Sequence, residues 1–302
     1  MIKVVERQEE ANCITHSGTM HADDVFSTAF LDLYLGDRKV FRTSKIDESK
    51  LNDNIFVYDI GRGKFDHHQP DALKRDNGIP YCSFGLLWKE YGKEFLKKYG
   101  IEDIDKVFIG VDKDLVEGID ADDNGVFPKI DANYRVKTLP NIIKIINPSY
   151  DSGEIEAEQF EKACVIAKEI LNEEILYING KVHAEEEILK TIEEQPNQKY
   201  LVLDKFLPYE EVILQNDKCK DLLFVAYPSN RGGYAIKVVP KSIDDKTPRL
   251  PFPEEWGGLE GEELEELSNI TGLTFCHSGR FIATCSNLDA VYEVLERIIK
   301  EV

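Results

Sequence analysis

The sequence predicts an α/β first domain built on a parallel sheet, a helical connector, and a smaller α+β domain. Three observations predict it. Strand-like and helix-like patterns alternate through the first 150 residues, as a parallel sheet with crossover helices requires. Residues 151–199 read as helical and strongly acidic. From residue 200 onward, short apolar strands join across turns and are interleaved with two helices. With 302 residues the chain is long enough for two cores. The expected boundaries are 1–150, 151–199 and 200–302.

In order, residues 12–15 (Asn-Cys-Ile-Thr) form a short apolar strand, followed by the loop "HSGTMH". "ADDVFSTAFLDLYLG" then places Val25, Phe26, Ala29, Phe30 and Leu33 at helical spacing before Gly36 stops the run. "KVFRTS" and "NIFVYDI" are the next strands. "SFGLLWKEYGKEFLKKYG" is a helix closed by Gly100, and "IEDIDKVFIGVDKDLVEGI" a third, with Ile104, Val107, Phe108, Val111 and Leu115 on one stripe. The connector presents a solvated charged face. Beyond it, "YLVLD", "LLFVAYP" and "YAIKVVP" are strands, the last two joined by the turn "SNRGG". "GLEGEELEELSNITG" is a helix, "LTFCHSG" and "RFIATCS" a hairpin, and "LDAVYEVLERIIKEV" a closing amphipathic helix. There is no internal repeat.

Composition excludes several classes. Apolar content of 42% and charged content of 31% describe a folded, soluble chain. No run approaches the ~18 apolar residues that span a bilayer, and the first residues lack the apolar core of a secretory signal. Six cysteines without a CxxC pair argue against a thiolate zinc site or a disulfide scaffold. They fit reduced thiols in the cytoplasm. A formal charge of −20 disfavours broad binding to long polyanions, which depends on Lys and Arg. A short phosphate-bearing ligand held through cations remains compatible. Neither GxxxxGK[ST] nor GxGxxG occurs, so a P-loop and a dinucleotide fold lack support.

Four of the six histidines fall in two short stretches. The first, "HSGTMHADD", supplies His16, His21, Asp23 and Asp24 between a strand and a helix. Asp59 ends a strand. Asp66-His67-His68 follows at once, and "DKDLVEGIDADDNG" adds Asp112, Asp120, Asp122 and Asp123. Loops at the carboxyl ends of parallel strands converge on one crevice, so the first three clusters should meet there. Imidazole with carboxylate suits Mn²⁺, Co²⁺ or Zn²⁺. Crowded carboxylates repel one another unless cations neutralise them. Two ions about 4 Å apart could share a carboxylate and clamp a phosphoryl group for in-line attack. Singly, each cluster has an ordinary reading: Asp23 and Asp24 could simply start a helix. Jointly, they point to metal.

The stretches "THSGTMHADDV", "YDIGRGKFDHHQ" and "EGIDADDNGV", with "RLPFPEEWGGLEGEELEELSNITGLTFCHSGRFIATCSNLDAVYEVLE" near the end, resemble the melanocyte-proliferating-gene (Myg) exonuclease family of the DHH phosphoesterase superfamily. The likeness runs over nearly the whole chain. It implies a DHH-type first domain in which His16, His21 and Asp23 are first-motif ligands. Asp59 would be shared between two metals, His67 would bind one, and Asp66 and His68 would act in catalysis by orienting ligands or touching substrate. Asp120 or Asp123 would complete the set. Superfamily members commonly carry Asp where His21 stands, a variation that bears on metal preference. The implied cofactors are two divalent ions, Mn²⁺ ahead of Mg²⁺ or Co²⁺. The implied activity is phosphodiester hydrolysis, as a 3′–5′ exonuclease on RNA or short single-stranded oligonucleotides. The second domain would contribute substrate contacts, with Arg231, His277 and Arg280 at hairpin turns as candidates. Phe252 and Trp256 could stack a base, although core packing suits them better. The alternatives are a pyrophosphatase or nucleotide phosphatase using the same site, and a non-catalytic metal-binding protein.

Overall fold

A computed structural model describes residues 1–195 and 199–300. Residues 196–198 of the expected connector, and the last two residues of the expected closing helix, lie outside the described residues. The chain forms two compact units, Met1–Asn179 and Gly180–Val302. The division falls inside one long helix.

The first unit carries a four-stranded, all-parallel sheet: β1 (Ile2–Val5), β2 (Cys13–His16), β3 (Arg38–Thr43) and β4 (Phe56–Val57), in the order β1-β3-β2-β4. Three of these match the sequence expectation. β1, with only four residues, is an additional edge strand. Cys13 pairs with both Val40 and Phe56, so β2 and β4 lie side by side and run the same way. Their carboxyl ends therefore carry His16 and the residues just beyond β4, Tyr58 and Asp59.

Helix α1 (Ala22–Leu35) leaves the loop after β2, and its residues 22–32 are all buried. It packs on β1, β2 and β3 and against α2 (Ser83–Tyr99). The rings of Phe84, Trp88 and Phe95 surround Phe30 at 5.3–6.3 Å, edge-on, a geometry that adds roughly 0.5–1.5 kcal/mol per aromatic pair to the burial itself. Gly100 closes α2 in the left-handed conformation (φ +88°).

The expected third helix is broken in character, though not in direction. α3 (Ile104–Val111) passes into a π-helical segment, Asp112–Val116, and then into α4 (Glu117–Asp123). Such a segment inserts one extra residue per turn and recurs at functional sites. A short α5 (Leu139–Lys144) follows, started by Pro140. The acidic connector stretch is α6 (Glu156–Glu194). It is more than a solvated linker, since Phe160, Ala163, Cys164, Ala167, Leu171 and Ile175 are fully buried at helical spacing within the first unit.

The second unit is α+β, with β5 (Tyr200–Val202), β6 (Phe224–Pro228), β7 (Tyr234–Val238), β8 (Leu273–Cys276) and β9 (Ile282–Cys285) in the order β5-β6-β7-β9-β8. Only the β5–β6 pair is parallel. Alternation along β6 serves two cores. Phe224 and Ala226 join Phe252, Trp256 and the apolar face of α9 (Leu288–Lys300), whereas Val225 joins Leu201, Ile213 and Ile188. Phe252 and Trp256 are buried, so they pack the core. Helices α7 (Glu210–Gln215) and α8 (Gly261–Ser268) complete the unit.

Candidate metal centre

Three overlapping groups of ligand atoms form at the carboxyl end of the first sheet: His16, His21 and Asp59; Asp59, His67 and His68; and His21, Asp23 and Asp123. Within each group the ligand atoms lie within 4.8 Å of one another. Asp59 belongs to two groups and His21 to two. The chain thus brings His16, His21, Asp23, Asp59, His67, His68 and Asp123 together from four separate stretches.

Local structure explains each placement. His21 precedes α1, and its backbone N–H donates to Asp24 Oδ1 at 2.9 Å, which closes the helix start. That leaves Asp23 and Asp24 in the first turn, where the helix dipole favours carboxylates. Asp59 sits past β4 with φ +56°, a left-handed conformation uncommon outside glycine. Its N–H donates to Phe65 O at 3.0 Å, and this closes the turn that returns Asp66, His67 and His68 to the same place. His67 Nε2 lies 3.1 Å from Asp59 Oδ1 and 3.2 Å from Asp123 Oδ2. His16 Nε2 lies 3.1 Å from Asp59 Oδ2 and 3.4 Å from Asp24 Oδ2.

Burial and charge work against each other here. Asp23 and Asp24 are completely buried. Burial and the neighbouring Asp59 push Asp23 up; burial and Asp23 lift Asp24 to about 8. Burial, with Asp23 again, lifts Asp123 to about 8. The histidines take up the excess. Burial alone would depress His16 and His67, but the Asp59 carboxylate beside them and the surrounding aspartates raise each to about 9. Asp59 goes the other way: despite burial, His16 and His67 draw it down to about 2.

The donor set fits divalent cations. Asp23 Oδ1 and Asp24 Oδ2 are buried without a hydrogen-bond partner, and His16 Nε2 has only its ion-pair contacts with Asp59 and Asp24. Such orphans cost about 1–3 kcal/mol each, and more where charged. His16 Nε2 and Asp24 Oδ2 lie 3.4 Å apart, and His16 and Asp23 each belong to a ligand group that a cation would satisfy. The remaining oxygen of Asp23 accepts from Ser83 Oγ at 2.8 Å, which fixes the carboxylate.

Two groups lie beside the cage. Asp66 Oδ1 accepts from His68 Nδ1 at 2.7 Å, and Oδ2 accepts from Arg62 N at 2.6 Å, so Asp66 orients His68. His68 itself is 61% exposed, at the rim. Asp120 is not in any of the three groups. Its carboxylate accepts from Arg75 at 2.7–2.8 Å and from Cys82 N at 2.9 Å, while Arg75 also pairs with Asp112. Of the two aspartates that the sequence left open, Asp123 faces the cage and Asp120 holds Arg75.

Arg231, His277 and Arg280 belong to the second unit, at its turns. Arg231 N donates to Ser229 Oγ within the turn. His277 Nδ1 accepts from Gly279 N at 2.9 Å. Arg280 has φ +54°, and its carbonyl accepts from Phe252 N.

Sequence reasoning passed over Arg42, Arg75 and Ser83. The Arg42 side chain is buried, 2.6 Å from Glu156 and 3.6 Å from Asp24 Oδ2, with its guanidinium 4.3 Å from the Phe160 ring. No motif marks these three. A serine at a helix start reads as a cap, and an arginine in a polar loop reads as solvated.

The MYG1_exonuc family model, described as "Uncharacterised protein family (UPF0160)", matches residues 12–299. The chain belongs to this family. A MYG1 protein of Saccharomyces cerevisiae is 26% identical over 97% of this chain and 96% of its own length. One from Chlamydia trachomatis is 27% identical over 95% and 96%. The human relative, named MYG1 exonuclease, is 27% identical over 89% of this chain and 80% of its own. No solved structure matches. The MYG1 match covers every ligand stretch described above. Among the described residues, no helix is long and apolar enough to cross a membrane, and all six cysteines are free and buried.

Proposed function

We propose that this MYG1 family member is a metal-dependent phosphodiesterase of DHH type, acting as a 3′–5′ exonuclease on RNA or short single-stranded oligonucleotides. The observation that carries it is the convergence of three ligand groups through Asp59 and His21, with buried oxygens left unpartnered. The human and bovine relatives are named exonucleases, which agrees with that chemistry.

His16, His21, Asp23, Asp59, His67 and Asp123 would hold two divalent ions, with Asp59 shared. When bound, such ions supply Lewis acidity, lowering the pKa of a water and stabilising charge on phosphoryl oxygens. Mn²⁺ suits the mixed imidazole and carboxylate donors. The chain's own residues do the rest. Asp66 holds the Nδ1–H of His68, so that Nε2 is directed away from the carboxylate. From that position His68 Nε2 would pass a proton to the leaving oxygen, the general-acid part of the reaction. Asp66 supports the imidazolium, as a carboxylate does in a catalytic dyad. Arg42, 3.6 Å from Asp24 Oδ2, offsets part of that carboxylate's charge.

The net charge of −20 favours a second reading, a pyrophosphatase or nucleotide phosphatase with a small substrate. One experiment separates them. Metal-stripped protein is given Mn²⁺ and then bis-p-nitrophenyl phosphate, pyrophosphate or a 5′-labelled oligoribonucleotide. The proposal expects diester turnover and a ladder shortening from the 3′ end. Asp59→Asn and His67→Ala should each lower turnover by at least a hundredfold while circular dichroism is kept, the scale on which metal-site support is lost. Orthophosphate from pyrophosphate without any ladder would support the second reading. An unaffected rate in either variant would remove the site from the reaction.

A further inference from the structure

Beside the cage lies a cavity of about 310 Å³. One wall is His21 and Asp123, both members of the ligand groups. The facing wall is Phe127, Pro140, Asn141 and Lys144, from the segment after α4 and from α5. We propose that this cavity binds one nucleotide of the substrate, with Phe127 stacking on the base and Lys144 pairing with the phosphate. The assignment rests on the phosphodiesterase reading for why a nucleotide should arrive there.

Four features select that occupant. The volume lies at the lower end of small-ligand sites, about 300–1,000 Å³, the scale of a single nucleotide rather than a duplex. Phe127 is 68% exposed, and it also borders a second cavity of about 440 Å³. Its ring therefore stands between two open spaces instead of packing in the core, and a base face is the flat apolar partner it lacks. Lys144 is exposed on α5; the Asp122 carboxylate across the cavity feels its charge, but no carboxylate among the described residues closes an ion pair with it. In a chain with 57 acidic side chains against 37 basic ones, an exposed ammonium next to the cage suits a phosphate, which would take it from Asp122. Asn141 supplies a donor and an acceptor for a base edge. Asp122 and Asp123 line the same cavity and would repel a phosphate, so nucleotide binding should need the cations.

The test is a cycle of two ligands and two proteins, read by titration calorimetry with Mg²⁺ present. Adenosine 5′-monophosphate and ribose 5-phosphate are bound to the unchanged chain and to Phe127→Ala. Stacking predicts that Phe127→Ala weakens the adenosine ligand roughly 5- to 100-fold, as base–aromatic contacts do, and leaves ribose 5-phosphate as it was. Phe127→Trp should keep the adenosine affinity. Lys144→Gln should weaken both ligands by the same factor. Equal loss of both ligands in Phe127→Ala, no loss of either, or no adenosine binding by the unchanged chain would overturn the site. Oligoribonucleotide turnover, measured alongside, reports separately on the parent reading. A chain that binds adenosine monophosphate through Phe127 yet cleaves no diester keeps this site and loses that activity.

Discussion

Asp120 and Asp123 stand three residues apart on α4, yet Asp120 takes the Arg75 guanidinium at 2.8 Å and Asp123 takes His67 Nε2 at 3.2 Å. One carboxylate ties the loop after the histidine pair to α4, and the other faces the cage. The two aspartates should therefore fail in different ways. Asp120→Ala leaves the Arg75 charge, only 7% exposed, without one buried partner, and should cost about 3–5 kcal/mol in denaturant unfolding. Asp123→Ala should cost little in the metal-free protein and instead weaken Mn²⁺ binding at least tenfold. Calorimetry and urea titration of both variants decide the assignment.

Metal binding should release protons. At pH 7 the metal-free site keeps protons on the ligands His16 and His67, raised to about 9, and Asp123, raised to about 8. Ligands must lose them to coordinate. Mn²⁺ affinity should accordingly rise about tenfold or more per pH unit between pH 6 and 8, one decade for each proton displaced. Calorimetry in buffers of different ionisation enthalpy counts those protons, and a count of zero would contradict the site's electrostatics.

The same shifts fix how metal-free stability runs with pH. The two histidines lie above their ordinary 6.5, so their contribution is complete below 6.5 and is lost as pH rises through about 9. Asp24 and Asp123 lie above 3.8, so theirs is present below 3.8 and lost as pH rises through about 8. Both have the same sign. Asp59, drawn down to about 2, contributes above 3.8 and loses that contribution only as pH falls through 2. The metal-free protein should melt at progressively lower temperature from pH 6 to 9, while the Mn²⁺-loaded protein should not.

Backbone geometry at Asp59 separates strain from ligation. A left-handed φ of +56° costs a Cβ-bearing residue about 1–2 kcal/mol. Asp59→Gly should be about 1 kcal/mol more stable than Asp59→Ala, while neither binds Mn²⁺ at the shared position. Equal stability of the two would mean that the conformation carries no strain.

Gly85 makes room for Asp120. A Cβ built there would stand 2.2 Å from Asp120 Oδ1, closer than atoms tolerate. Gly85→Ala should destabilise by about 1–3 kcal/mol through overpacking and should disturb the Arg75 pairing. Urea unfolding of the variant beside Asp120→Ala should show non-additive losses.

Much of the first unit was legible because its signals are local. "CITH" is an apolar run ending at a strand tip, and "HADDVFSTAF" couples a helix start to a periodic stripe. The scarcity of histidine made His67 and His68 conspicuous. What stayed hidden depends on distance in the fold. Ile2–Val5 is a four-residue edge strand in which Lys3 is exposed, too short for alternation to register. The π-helical segment keeps the apolar spacing of its neighbours, so periodicity passes straight through it. The stripe from Phe160 to Ile175 is diluted by glutamates, which made α6 read as solvated. Asp120 and Asp123 look alike in sequence, and only burial and partners tell them apart. Ser83 and Arg75 act across 60 and 45 residues, separations at which no spacing rule applies.

The cage is stitched from stretches as far apart as His16 and Asp123, so an unravelled chain has nothing comparable to offer a cation. An ion bound there would be a fastener as well as a reagent, adding RT ln(1 + [L]/Kd) to the folded form. Scarcity of that ion would thin the population of intact molecules along with the supply of working ones.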